Sequence, residues 1–397
     1  MRVLYLGANL RMQIASHSGF AIRARELLTA LEELGVETIP FAAGDQTDNV
    51  RAQTVYRRTL SRFLPRTVTA AMRDLYEIWN DEKFYRLAET RLQRTHPDAI
   101  VQQDDRYSRA GVKLGRKYRL PVFLDDVVPI WESEQYSKRS FKSLARFMRR
   151  RAFSQADGLI AVSWGMVKQL RSEGIPEGKI HLIPNGVDCQ RFSPDVDAGG
   201  IKDKYALKGK IVVGYAGGFM PWHALDLLIR AAVGVTRAEP CVHFLLLGDS
   251  EIRPQLEALT QQLGVEEHFT FPGLVPHPEV PSYLGAMDIT VLPATLEYMS
   301  PIKIFEYMAM KKPVIAPKGN YTIEELVIPD QTGLLFQAGN EQDLSHTITL
   351  LAKDADLRQR MGHECRTFVL NNHTWRHQGA KLIEAMQQAL ANDREIK

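Results

Sequence analysis

Short apolar runs alternate with longer stretches of helical spacing along the whole chain. In the first half the runs fall at residues 3–6, 37–41, 99–102, 121–124, 158–162 and 180–183. Runs of this length, apolar at successive positions, read as strands covered on both faces. Between them, residues 20–34, 112–117, 141–153 and 166–172 repeat apolar positions every three or four residues, the period of a helix with one buried face. Strand and helix in alternation predict a parallel, doubly wound sheet, because each crossover must pack back on the sheet it leaves.

The alternation breaks at Pro184-Asn185-Gly186-Val187-Asp188, then Phe192-Ser193-Pro194 and Ala198-Gly199-Gly200. Such a cluster of turn formers marks a boundary. A second series follows, with strands expected at 211–215, 242–247, 269–271, 289–292, 313–316 and 334–336. The expected fold class is therefore α/β, with two doubly wound domains facing a central cleft. Their expected extents are an N-terminal domain over 1–190, a linker over 191–209, and a C-terminal domain over 210–371. Residues 372–397 read as a helix packing back toward the N-terminal domain. A length of 397 residues suits two cores better than one.

Composition narrows the class. Hydrophobic residues make up 45% and charged residues 24%, the profile of a soluble globular protein. No apolar run approaches the ~18 residues that span a bilayer. The apolar run after Met1-Arg2 is short for a signal peptide and reads as the first strand. Cys189, Cys241 and Cys365 are far apart and odd in number, which points to a reducing, cytoplasmic setting and away from a thiolate metal site. Charge is unevenly spread: through Asp195 there are 31 Lys/Arg against 23 Asp/Glu, and beyond it 19 against 24, giving +8 and −5. Arg51 to Arg73 holds six arginines and no acidic residue, and Lys138 to Arg151 holds seven basic residues among Phe141, Leu144, Phe147 and Met148. The second stretch reads as an amphipathic helix, suited either to an anionic leaflet at the inner face of a membrane or to plain solvent. No nucleic-acid-binding module accompanies the charge.

Candidate chemistry sits where glycine lies between a strand and a helix. Ser16-His17-Ser18-Gly19 precedes the first helix, and Ala216-Gly217-Gly218-Phe219-Met220-Pro221-Trp222-His223 follows the first strand of the second half. The free N–H groups and positive dipole end of a helix N-terminus suit phosphate oxygens, and glycine lets the main chain come close; a plain turn is the alternative. Neither loop is a GxGxxG fingerprint or a P-loop. In Ser300-Pro301-Ile302-Lys303-Ile304-Phe305-Glu306-Tyr307-Met308-Ala309-Met310, Ser300 is placed to cap a helix with Pro301 at its first position. Glu306 then lies among apolar neighbours, where a charge needs a hydrogen-bonding partner. A ribose diol would supply one, and Lys303, on the same helical face, is the alternative. His373 and His377 are spaced i, i+4 without a third ligand, so no metal site is expected and a solvated helical pair is the reading.

These segments resemble the retaining GT-B glycosyltransferases of family 4, the group 1 glycosyltransferases. The resemblance rests on Asn185-Gly186-Val187-Asp188 with Phe192 and Pro194, on Ser300-Pro301-x-Lys303-x-x-Glu306-Tyr307-Met308-Ala309 before Lys312-Pro313-Val314-Ile315-Ala316, on Asp330-x-Thr332-Gly333-Leu334-Leu335, and on Trp375. It implies two Rossmann-like domains, the second holding a nucleotide sugar and the first offering the acceptor surface. By position, Glu306 would bind the ribose hydroxyls, Leu274 and Val275 would contact the base, Gly217 and Gly218 would face the diphosphate, and Gly19 would close over it. Met299, Ser300, Pro301 and Ile302 would meet the donor sugar. The family's usual glutamate at position 298 is Tyr298, with Glu297 beside it, and its arginine and lysine beside the diphosphate fall on Gly218 and His223. His223 could supply a hydrogen bond or a charge, since histidine titrates near neutrality. The family's histidine after the fourth strand falls on Val127, leaving Asp125 or Asp126 to bind sugar hydroxyls.

The implied activity is transfer of a hexose, with retention, from a nucleotide diphosphate sugar such as UDP-glucose to a hydroxyl of a saccharide or lipid-linked acceptor. No DxD-type motif calls for a metal and no cofactor is expected; His223, Lys303, Glu306 and Asp126 are the catalytic candidates. A nucleotide-sugar epimerase on the same architecture, or a non-catalytic nucleotide- or sugar-binding protein, are the competing readings.

Overall fold

The computed structural model describes residues 1–7, 19–46, 66–125 and 141–395, and the chain divides into two compact units. Unit 1 comprises Met1–Pro184 with Trp375–Lys397, and unit 2 is Asn185–Thr374. In unit 1 the described elements run β1 (Arg2–Gly7), α1 (Gly19–Glu33), β2 (Glu37–Ala42), α2 (Arg66–Thr95), β3 (Ala99–Gln103), α3 (Ala110–Tyr118), β4 (Val122–Asp125), α4 (Lys142–Gln155), β5 (Gly158–Ala161), α5 (Trp164–Ser172) and β6 (Ile180–Leu182). The strands are parallel, in the order β2-β1-β3-β4-β5-β6. Val3, Leu4, Tyr5 and Leu6 of β1 are all buried, as a strand covered on both faces requires.

Unit 2 repeats the architecture. It contains α6 (Gly199–Lys204), β7 (Ile211–Ala216), α7 (Leu225–Ala238), β8 (Val242–Leu247), α8 (Arg253–Gln262), β9 (Phe269–Gly273), α9 (Val280–Ala286), β10 (Ile289–Val291), α10 (Ile302–Ala309), β11 (Val314–Pro317), α11 (Tyr321–Leu326), β12 (Gly333–Phe336), α12 (Glu341–Lys353) and α13 (Ala355–Asn372). Its strands are also parallel, ordered β12-β11-β10-β7-β8-β9. The chain winds one way from β7 and the other way from β10, so the switch point lies at the C-terminal ends of these two neighbours, where open α/β sheets bind ligands.

The last helix, α14 (Trp375–Glu395), belongs to unit 1. Its Leu382, Ala385 and Met386 enter one apolar cluster with Leu27, Leu28 and Leu31 of α1. Gly379 lets the helices approach, since a Cβ there would sit 3.2 Å from the Ala30 Cβ.

The stretch 191–209, expected as a linker, is part of unit 2. Phe192 and Leu207 are buried in its core, and the Arg366 guanidinium donates to the carbonyls of Cys189 (3.0 Å), Phe192 (2.7 Å) and Ala309 (2.6 Å). The break instead follows Pro184, because the backbone N–H of Val187 donates to His373 O (3.0 Å), pulling this segment onto the end of α13. His373 itself is no solvated helical residue. It lies just beyond α13 with its ring 5.2 Å from those of Phe305 and Phe368.

A buried ion pair fastens α1 to the sheet of unit 1. Asp125, at the end of β4, accepts from Arg23 of α1 at Nη2 (2.7 Å) and Nε (3.1 Å), and from Tyr5 Oη at 3.3 Å. Arg23 also donates to Ile183 O (3.2 Å) and Pro184 O (3.3 Å), just beyond β6. Asp125 is fully buried and Arg23 nearly so. The carboxylate that the sequence offered to sugar hydroxyls is thus taken up by the guanidinium that fastens α1 to the sheet. Asp126 and Val127 lie outside the described residues.

Candidate functional site

Three glycine turns follow the C-terminal ends of β7, β8 and β9. Gly217 and Gly248 have φ of 140° and 142°, a region closed to side chains. They also come too close for one: a Cβ on Gly248 would lie 2.0 Å from Gly217 O. Gly217 N donates to Leu247 O (2.9 Å) and Gly248 N to Gly273 O (3.0 Å), stitching the turns into one rim. Two tyrosines fix its first turn. Tyr307 Oη, from α10, accepts from Ala216 N (2.7 Å) and donates to Ala216 O (3.2 Å), while Tyr215 Oη donates to Gly218 O (2.9 Å).

From the other side of the switch point comes α10. Pro301 is its cap residue and Ile302 its first helical residue. Ser300, expected to cap this helix, does not, because its hydroxyl accepts from Asn185 N (3.2 Å) while Asn185 Nδ2 donates to Ser300 O (2.6 Å). Pro301 is accordingly one position earlier than expected. Glu297 is exposed and Tyr298 buried, so the residue turned into the protein here is the tyrosine.

Lys303 reaches back from α10 beneath the glycine turn. Its Nζ donates to Tyr215 Oη (2.6 Å), lies 3.2 Å from His223 Nε2, and stands 4.3 Å from the centre of the Tyr215 ring. A Cβ on Gly217 would be 2.8 Å from this Nζ, so glycine makes room for the ammonium. Burial pulls the Lys303 pKa down to about 7, with Glu306 opposing the shift. His223 is pushed further, to about 3, by burial and then by the Lys303 charge, against its contact with Ala294 O. A neutral imidazole whose Nδ1 faces Ala294 O at 3.2 Å carries its proton there, leaving Nε2 to accept from Lys303. The charge that the sequence allowed to His223 therefore belongs to Lys303, and His223 orients it.

Glu306 lies one turn further along α10. It is buried, and its Oε1 is 3.2 Å from His277 Nε2. The His277 ring packs edge-on to Phe192 at 5.7 Å. A Lys303–Glu306 pair, which the spacing permits, is not among the ion pairs of the described residues. His277 lies in the turn after β9 that also carries Val275 and Leu274, the latter 81% exposed. One helix thus presents an ammonium to the glycine rim and, a turn away, a carboxylate to the neighbouring loop. Gly19 begins α1 in unit 1 and is exposed. Tyr215 and His277 carried no signal in the sequence: the tyrosine sat in an apolar run, and the histidine between two prolines.

Chemically, a buried cation beneath a tight glycine turn suits an anionic oxygen cluster, and Glu306 suits a pair of hydroxyls. Glu306→Gln keeps the shape and removes the charge. Because a hydrogen bond to a charged group contributes about 1.5–3 kcal/mol, the dissociation constant for nucleoside diphosphate should rise about ten- to a hundred-fold. Calorimetric titration measures it, and unchanged affinity would remove Glu306 from the site.

Comparison with known proteins identifies the family. Residues 17–191 match the model "Glycosyltransferase Family 4" and residues 200–368 the model "Glycosyl transferases group 1". The chain belongs to the group 1 glycosyltransferases of family 4 and has their two-domain GT-B fold. It is 28% identical over 255 residues to the GDP-mannose-dependent alpha-(1-6)-phosphatidylinositol monomannoside mannosyltransferase of Mycolicibacterium smegmatis, covering 62% of this chain and 66% of that one. It is 25% identical over 221 residues to the alpha-D-kanosaminyltransferase of Streptomyces kanamyceticus, covering 55% and 57%. The chain thus spans less than two thirds of the length of each of these curated relatives. A glycosyltransferase structure from Rickettsia africae superposes with a TM-score of 0.74 at 18% identity, over 98% of this chain and 99% of that one. Anabaena HepE in complex with UDP gives 0.72 at 18% identity, over 98% and 100%.

Proposed function

We propose that this protein transfers a hexose from a nucleoside diphosphate sugar to a hydroxyl of a saccharide or lipid-linked acceptor, with retention and without a metal. The observation that carries this reading is α10 itself, which sets Lys303 under the Gly217 turn and Glu306 one turn away, the separation of a diphosphate from its ribose. A cation beside the leaving diphosphate stabilises the charge that grows on it. Lys303 supplies at the rim what a divalent ion or the family's usual arginine and lysine would supply elsewhere. Asp125 is taken up by Arg23, and same-face attack needs no side-chain base, because the departing diphosphate oxygen takes the acceptor proton. The donor is a nucleotide hexose. UDP-glucose is one expectation, and GDP-mannose, named for the Mycolicibacterium relative, is the other. Peripheral contact of the basic unit 1 with an anionic membrane, from the cytoplasmic side, completes the reading.

The test is turnover of a UDP- and GDP-sugar panel with saccharide and lipid-linked acceptors, in the presence of EDTA. Free nucleoside diphosphate and a product of retained configuration, read from the anomeric carbon–proton coupling, are expected. An epimerised donor formed without acceptor, an inverted product, or EDTA inhibition relieved by Mn²⁺ would each overturn the proposal.

A further inference from the structure

Helix α2 is apolar on two opposite sides. Its buried face carries Ala70, Phe84, Ala88 and Leu92. On the far side Val68, Met72, Leu75 and Trp79 follow one another at spacings of four, three and four, and are 42%, 51%, 57% and 60% exposed. Four large apolar side chains in a line have no counterpart in the core, and soluble surfaces rarely carry such a stripe without a use.

Helix α4 adjoins α2. Phe141 N, at its start, donates to Asp74 of α2 (3.0 Å), and Ile78 of α2 packs against Ala145 and Met148. It too turns apolar groups outward, with Leu144 41% and Phe147 60% exposed. Exposed Arg146 lies between them and exposed Arg150 and Arg151 one turn beyond, and α4 contains five basic residues and no acidic one. Large rings and aliphatic tips projecting between arginines are what a helix lying in a headgroup layer presents, since the rings enter the acyl boundary while the guanidinium groups meet lipid phosphates.

We propose that Val68, Met72, Leu75 and Trp79 of α2, with Leu144, Phe147, Arg150 and Arg151 of α4, form the face by which unit 1 lies on an anionic lipid bilayer. This rests on the membrane contact included in the proposed function and names its surface. The charge of α4 selects the occupant: a protein groove for an apolar stripe need not be acidic, whereas every anionic leaflet is. No described helix is long and apolar enough to cross a membrane, so the contact is a resting one.

The experiment is co-sedimentation of the full chain with vesicles of phosphatidylcholine alone, or mixed with phosphatidylglycerol. Binding to the mixed vesicles only, weakening with salt, is expected. Trp79→Ser with Phe147→Ser should lower the partition coefficient at least tenfold, and Arg150→Glu with Arg151→Glu should abolish selectivity for the anionic lipid. Turnover of a soluble acceptor and the melting temperature should stay unchanged in both, since all four side chains are exposed. If the wild type ignores anionic vesicles, membrane contact itself fails. If it binds and the variants bind equally, the assignment of this face fails while membrane contact survives. A concentration-dependent dimer that the Trp79→Ser, Phe147→Ser variant dissolves, with vesicles ignored, would overturn the proposal in favour of a second copy of the chain.

Discussion

Lys303→Met should lower kcat/KM for the sugar donor by about 100- to 1,000-fold, the usual loss when a preorganised group at a developing negative charge is removed. Methionine fills a similar volume, so the fold and the Tyr215–Gly218 hydrogen bond should persist. The pH dependence separates charge from packing. Only the ammonium attracts a diphosphate, and burial holds the Lys303 pKa at about 7. Below that value the site is charged; above it the charge is lost, so donor KM should climb between pH 6 and pH 9. Lys303→Arg stays protonated across this range, and its KM should be flat whatever its absolute level. Initial rates across the pH series settle the matter. A Lys303→Met enzyme within fivefold of wild type, or a KM that falls with rising pH, would remove Lys303 from the diphosphate.

Asp125→Ala should be the most destabilising of these substitutions, for a reason unrelated to chemistry. It removes the carboxylate paired with the buried Arg23 guanidinium, and breaking a buried pair by deleting one partner costs about 3–5 kcal/mol. At about 2–4 °C per kcal/mol for a unit of this size, the unit 1 melting transition should drop by about 6–20 °C. Replacing both partners together, Arg23→Met with Asp125→Leu, should recover most of the loss, because apolar groups of similar volume leave no stranded charge. A single variant that melts within 2 °C of wild type but loses acceptor turnover would restore Asp125 to the chemistry.

Most of the strand framework was legible in the sequence. Strands buried on both faces are continuous apolar runs, and the run at 242–247 coincides with β8 residue for residue. Helices with a single apolar side were equally clear. The long α2 was not, because apolar residues on opposite faces blur the 3.6-residue period into no period at all. In the site, Glu306 and Lys303 stood out as charges in an apolar helix, and Gly217 as a glycine after a strand. What the sequence could not convey was pairing across the switch point. His223 meets Ala294 O and Lys303, and Glu306 meets His277, through loops far apart in the chain. The state of His223 depends on its burial first and on that ammonium second: a histidine in solution titrates near neutrality, and one buried beside a cation does not.

The docking of α14 onto α1 has a consequence for the order in which the protein can fold. Unit 2 is continuous in sequence, so all its strands have been synthesised before Trp375 is made. Unit 1 is interrupted, and its cluster around Leu27 and Leu31 lacks Leu382, Ala385 and Met386 until the chain has been extended well past unit 2. On a ribosome the later half of the polypeptide can close its core while the earlier half still waits, the reverse of the usual N-to-C sequence of domain folding. A chain stopped at Thr374 would carry a finished unit 2 tethered to a unit 1 with an open apolar seam along α1.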